Sequence, residues 1–139
     1  MNTNTKQYWN PLVPELTVSN IEHSVAFYKL CGFQVRFKRS NPNFYYLELG
    51  RAQIMLEEVC EDMWLTGDLV KPFGRGINFQ IEVENIALLS ESLKFDDIQL
   101  YRPIHKSQYV VNDAIESQLE MLVQDPDGYL LRFVQVCSE

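Results

Sequence analysis

The chain is poor in cysteine, histidine, glycine and positive charge, and it has no long apolar run. Three cysteines occur in 139 residues, Cys31, Cys60 and Cys137, an odd number set far apart. They form no CxxC pair and no Cys/His ligand spacing, which argues against a zinc site and a disulfide framework. Reduced thiols suit the cytoplasm, the expected location. The two histidines, His23 and His105, read as a solvated helix-start residue and a solvated loop residue. No Ser/His/Asp or Cys/His combination accompanies them, and no Gly-rich phosphate loop is present. Lys and Arg number 12 against 19 Asp and Glu, a net charge of −7. Phosphate contacts need clustered positive charge, so a nucleic-acid partner is not expected. No stretch reaches the ~18 apolar residues of a membrane-spanning helix. The opening Met1-Asn2-Thr3-Asn4-Thr5-Lys6 has no apolar segment behind it, so neither a signal peptide nor a membrane partner is expected.

What is present is a core. Hydrophobic residues make up 46% and aromatic residues 12%, enough for one domain or two small halves sharing an interior. Residues 1–11 read as an arm, polar except for Tyr8 and Trp9. A strand is predicted over 12–18. Ser19 and Glu22 then have capping-box spacing, and Ile21, Val25 and Tyr28 share one helical face. Gly32 ends the helix because it reaches φ > 0 at little cost. Strands are predicted at 33–38, 44–49 and 52–58, the first two separated by the turn cluster Ser40-Asn41-Pro42-Asn43. Residues 59–76, with Gly67, Pro72, Gly74 and Gly76, form a long connector.

The opening unit then recurs 65 residues on. Val18, Asn20 and Ile21 meet Val83, Asn85 and Ile86; Lys29 meets Lys94 and Gln34 meets Gln99. A strand is predicted at 77–83, a helix at 85–95, a strand at 98–102, a loop at 103–117, and strands at 118–124 and 129–136. The last two are joined by the turn Asp125-Pro126-Asp127-Gly128. The expected fold is α+β: two tandem β-α-β-β-β modules, 12–58 and 77–136, forming a curled mixed sheet around a cleft with the helices outside. A cleft between paired sheets collects side chains from both halves.

The paired repeat, the Val-x-Asn-Ile helix start, Phe27-Tyr28 with Gly32-Phe33 behind it, and Asp125-Pro126-Asp127-Gly128 resemble the glyoxalase/bleomycin-resistance/extradiol-dioxygenase superfamily, the vicinal oxygen chelate fold. Val13-Pro14-Glu15-Leu16-Thr17-Val18 is similar to the first strand of the bleomycin-resistance proteins. That resemblance implies a homodimer in which the arm crosses at Pro14 to a second subunit. Following the glyoxalase pattern, the metal-ligand positions fall on Val13, Met55, Asn78 and Arg132, a set that cannot hold a divalent cation. No metal and no other cofactor is expected.

Alternation assigns the cleft faces. Glu15 goes with Val13; Gln53 and Glu57 go with Met55; Gln80 and Glu82 go with Asn78; Leu130 and Val134 go with Arg132. Arg132 is expected to pair with Glu15 or Glu57, or else to meet a ligand. The resemblance places aromatic grips at Phe37 and Phe44, with Tyr46 on the face of Phe44 and Trp64 offering an indole from the connector. Arg36, Lys38 and Arg39 surround Phe37 with positive charge. The expected function is metal-free binding of an antibiotic or other flat aromatic or cationic compound. The expected ligand-binding residues are Glu15, Phe37, Phe44, Tyr46, Met55, Glu57, Trp64, Asn78, Gln80 and Arg132. The alternative is an enzyme of the same fold using a divalent metal or a Glu15 or Glu57 acid–base.

Overall fold

Two asparagines set the architecture. Asn20 and Asn85 are extended residues whose side chains accept the backbone N–H three residues on, from His23 and Leu88, each at 3.1 Å. An N-cap of this kind satisfies one of the orphan donors at a helix start. The computed structural model, which describes residues 7–137, accordingly has β1 (Glu15–Val18), α1 (Ile21–Leu30), β2 (Gln34–Arg39), β3 (Phe44–Leu49) and β4 (Ala52–Glu58). After the connector come β5 (Asn78–Glu82), α2 (Ile86–Phe95), β6 (Arg102–Val111), β7 (Ala114–Gln124) and β8 (Leu130–Val136). The helices start and stop at the same offset of 65 residues that the sequence repeat shows.

Each module keeps its own four-stranded mixed sheet, ordered β1-β4-β3-β2 and β5-β8-β7-β6. The first strand pairs parallel to the last, and the other pairs are antiparallel. The strand beside each helix start also supplies an acceptor to it. Glu58 accepts the Ile21 N–H at 2.9 Å, and Gln135 accepts the Ile86 N–H at 2.8 Å. With Asn43 as a second donor, these hydrogen bonds lower the Glu58 pKa.

The helix-side faces of both modules merge into one core that includes Val18, Tyr28, Leu47, Ile86, Met121 and Phe133. The modules are latched by polar groups at the β7–β8 turn. The Tyr28 hydroxyl donates to Asp125 at 2.7 Å, the Ser19 N–H donates to Asp127 at 3.0 Å, and the Tyr129 hydroxyl donates to the Thr17 carbonyl at 2.9 Å. The connector closes over this turn, with the Phe73 N–H on the Asp127 carbonyl at 2.9 Å. Gly128 has φ +102, and a Cβ there would lie 2.5 Å from Pro72 Cβ.

Three expectations change. The first strand begins at Glu15 rather than residue 12. The cap of α1 is Asn20 rather than Ser19, because Ser19 turns its N–H and hydroxyl to Asp127 in the other module. The segment expected as a strand over 98–102 and a loop over 103–117 is instead a long β6–β7 hairpin. It turns on Asn112 and Asp113 at φ 49 and 69, the left-handed pair that a two-residue hairpin turn needs. His105 therefore lies in a strand and not in a solvated loop.

Candidate functional site

The faces of the two sheets turned away from the helices carry the polar and aromatic residues that alternation selects. On the first module, Ile54 and Leu56 enter the core, while Gln53, Met55 and Glu57 lie on the opposite face. Tyr46 sits across from both Met55 and Phe37, and Arg39 across from Phe44. The register slips between Val35 and Phe37, so β2 bulges at Arg36.

The result is an aromatic tray. Phe37 stacks on Tyr46 at 5.4 Å and 19°, and on Phe44 at 5.7 Å and 28°. Trp9 of the arm meets Tyr46 edge-on at 5.0 Å. The Arg39 guanidinium lies 4.1 Å from the Phe44 centroid and that of Arg36 lies 4.5 Å from the Trp9 centroid. Cations over ring faces are attracted by the aromatic quadrupole. Gln53, almost fully buried, ties the arm down: it accepts the Asn10 N–H at 2.9 Å and donates to the Tyr8 carbonyl at 2.7 Å, while Tyr46 donates its hydroxyl to the same carboxamide. Residues 8–10 of the arm thus rest on their own module; residues 1–6 lie outside the described residues.

At the β1/β4 end of the same face stand Glu15 and Glu57. Partial burial raises the Glu15 pKa, the Glu57 charge raises it further, and Arg39 pulls it back. The tray therefore has a cationic aromatic end on β2 and β3 and an acidic end on β1 and β4.

On the second module, Arg132 does not pair with Glu15 or Glu57 as expected. Its Nη1 donates to Glu120 at 3.0 Å and its Nε to Asn78 Oδ1 at 3.2 Å. The cause is register: Leu122 of β7 lies opposite Arg132, two residues from Glu120 on the same face. Glu120 is the hub of this face, accepting from Ser107 at 2.9 Å, Tyr109 at 2.7 Å, Gln118 at 2.6 Å and Arg132. His105 Nε2 lies 3.4 Å from it. Burial opposes the charged form of Glu120, but the hydrogen bonds from Tyr109, Gln118, Ser107 and Arg132 outweigh it and hold the carboxyl at about 2. Glu120 is absent from the residues expected at the site. Its signal in the sequence is its place one residue from Met121 and three from Val123, opposite in phase to both. Gln80 is exposed beside Arg132 on β5.

The structure thus groups Phe37, Phe44, Tyr46, Met55, Glu57 and Glu15 on one face and Asn78, Gln80 and Arg132 on another. Among the described residues no hydrogen bond or ion pair joins the two faces. Trp64 joins neither: it is 96% exposed in the connector, beside a separate cavity with Leu65, Pro72 and Arg75. A further cavity of about 740 Å³ between the β3–β4 turn and the ends of β5 and β8 contains none of the expected site residues.

No family model and no curated protein matches the chain. Solved structures do. TioX from Micromonospora sp. ML1 matches with a TM-score of 0.67 at 14% identity, covering 94% of this chain and 98% of that one. A glyoxalase/bleomycin resistance protein/dioxygenase from Alicyclobacillus acidocaldarius matches at 0.62 and 17%, over 93% and 92%. A bleomycin-binding protein complexed with bleomycin matches at 0.59 and 20%, over 91% and 98%. The chain has the fold of the glyoxalase/bleomycin resistance protein/dioxygenase superfamily. Superfamily enzymes that use a divalent cation need converging N and O donors on the cleft faces, and the residues here do not fit one. Met55 offers a thioether, the Asn78 oxygen is taken by Arg132, and Arg132 is itself a cation. Among the described residues no three of His, Cys, Asp and Glu converge.

Proposed function

We propose that this protein binds a planar aromatic small molecule, sequestering it as a bleomycin-binding protein would, with no metal taking part. The observation that carries this reading is the tray: Phe37 stacked on both Phe44 and Tyr46, with Met55 alongside and arginines at its rim. Stacked and edge-on aromatic contacts contribute about 0.5–1.5 kcal/mol each beyond the area they bury. Binding of this sort needs shape and desolvation and no reacting group. The solved bleomycin complex of a protein with the same fold supports the ligand class.

The second wall of the cleft comes from a second copy. Within one chain the Glu120–Arg132 face is not joined to the tray, so a homodimer that sets one against the other completes the site. In this reading residues 1–11 are an arm that can exchange at Pro14, residues 12–58 and 77–136 are the two modules, and 59–76 connects them. Glu15, Glu57, Asn78, Gln80 and Arg132 are the polar contacts of the finished cleft.

The test is a titration of the full chain with bleomycin and a panel of planar heteroaromatic compounds, read by tryptophan emission and calorimetry. Saturable binding is expected, weakened at least tenfold, about 1.4 kcal/mol, by Phe37→Ala. No saturable change with any compound, or binding that survives Phe37→Ala intact, overturns the proposal.

A further inference from the structure

Arg36 is buried without being satisfied. Its side chain is 6% exposed, and its Nε donates to Glu48 at 2.8 Å. Its Nη1 is buried and has no hydrogen-bond partner among the described residues. The guanidinium lies against two rings, 4.5 Å from the Trp9 centroid and 5.8 Å from that of Tyr46. Neither can answer Nη1, since a ring face is not a strong acceptor and the indole N–H is only a donor. A buried guanidinium nitrogen left unpaired is costly, and such groups call for an explanation.

Trp9 is the complementary oddity. It is 49% exposed, yet it covers the tray, edge-on to Tyr46 at 5.0 Å and 6.1 Å from Phe37. The segment holding it is lightly tied, by two hydrogen bonds to Gln53 and by Asn10 Nδ2 to the Arg51 carbonyl at 2.8 Å. Trp9 therefore supplies the aromatic half of what the tray can bind and lacks the other half, an oxygen acceptor for Arg36.

We infer that Trp9 is a placeholder, and that the ligand displacing it is a planar aromatic compound bearing a carboxylate or carbonyl oxygen that reaches Arg36 Nη1. The inference rests on the proposed tray and narrows it: the group entering the aromatic end is an acceptor rather than a cation. Arg39 at the same end, 4.1 Å from the Phe44 ring, reinforces the preference. Charge-assisted pairing to a guanidinium fork is directional, so the acceptor lies in or near the plane of the Arg36 guanidinium.

The experiment compares two probes that share a naphthalene ring and carry opposite charges, 2-naphthoate and 2-naphthylmethylammonium, by calorimetry on the full chain, W9A and R36Q. The expected result is naphthoate binding at least tenfold tighter than the ammonium to the unaltered protein. W9A should tighten naphthoate binding several-fold, because the competing indole is gone. R36Q should abolish the preference, weakening naphthoate binding and, with the guanidinium charge gone, leaving the ammonium bound no more weakly than before. Equal or reversed preference in the unaltered protein overturns the inference and leaves aromatic binding standing. Weaker naphthoate binding by W9A also overturns it, since Trp9 would then be a wall of the site. Binding of neither probe by W9A overturns both the inference and the aromatic-binding proposal. The comparison on the unaltered protein needs no variant, so the inference stays open to refutation even where R36Q fails to fold.

Discussion

Replacing Asp125 by alanine removes the acceptor on which the two modules meet. Its carboxylate takes the Tyr28 hydroxyl at 2.7 Å, the Asp127 N–H at 2.9 Å and the Tyr129 N–H at 3.0 Å. Asp125 is 4% exposed, and Tyr28, Asp127 and Tyr129 are all buried with it. Each donor stranded without a partner costs about 1–3 kcal/mol, and partial relaxation brings the sum to about 3–6 kcal/mol. Tyr28→Phe removes one donor and strands none, because Asp125 keeps both backbone N–H groups; its cost is about 1.5–2 kcal/mol. At this chain length each kcal/mol lowers Tm by about 3–5 °C. Urea denaturation with calorimetry measures both variants. Asp125→Ala should lose at least about 1 kcal/mol more than Tyr28→Phe loses. A loss under about 1 kcal/mol for Asp125→Ala, or equal losses for the two, would refute the latch. The acid limb adds a sign. Burial raises the Asp125 pKa above its ordinary 3.8 against the pull of its hydrogen bonds. The folded state therefore takes up that proton at a higher pH than the unfolded chain, so this carboxyl favours folding as pH falls through the raised value.

Glu120 behaves in the opposite sense. With a folded pKa of about 2 against an ordinary 4.5, its stabilisation is complete above 4.5 and lost as pH falls toward 2, so urea midpoints should drop more steeply over that range in the native protein than in Glu120→Gln. Ser24 is fully buried in α1 and its hydroxyl has no hydrogen-bond partner among the described residues, so Ser24→Ala should raise stability by about 0.5–1 kcal/mol in the same assay. Gly128→Ala should cost about 2 kcal/mol or more, because φ +102 is strained for any side chain and the new Cβ meets Pro72; loosening of the connector would show as faster amide exchange at Phe73, whose N–H bonds the turn.

The module repeat was legible because its signals are local. A Val-x-Asn-Ile helix start and the helical spacing behind it occur within a dozen residues and recur 65 residues on, even though the capping side chain of the first helix is Asn20 and not the expected Ser19. Face assignment was equally legible for Gln53, Met55 and Glu57, since period-two alternation survives wherever a strand is regular. Alternation itself breaks at Arg36, where a bulge puts Arg36 and Phe37 both in contact with the tray. Arg132 could be put on its face, but its partner depends on which strand lies alongside in what register, and that is a long-range fact. The β6–β7 hairpin was hidden because Asn112-Asp113 makes its turn without glycine. Its outer half, Tyr109 to Ile115, also projects beyond the core with apolar residues exposed, so no clean alternation marks it. Trp9 sits in an arm without periodicity, and nothing in its neighbours announces the tray it covers.

The central claim is that the tray binds a planar aromatic compound, and methionine methyl NMR tests it directly. Met55 lies on the tray beside Tyr46, whereas Met121 is fully buried in the core. In a titration of methyl-labelled protein with a planar heteroaromatic ligand, ring current from a molecule seated on Phe37 and Tyr46 should move the Met55 methyl resonance saturably and leave that of Met121 in place. A saturable ligand that leaves Met55 unmoved would contradict the claim and direct attention to the cavity between the modules, lined by Leu49 and Val83.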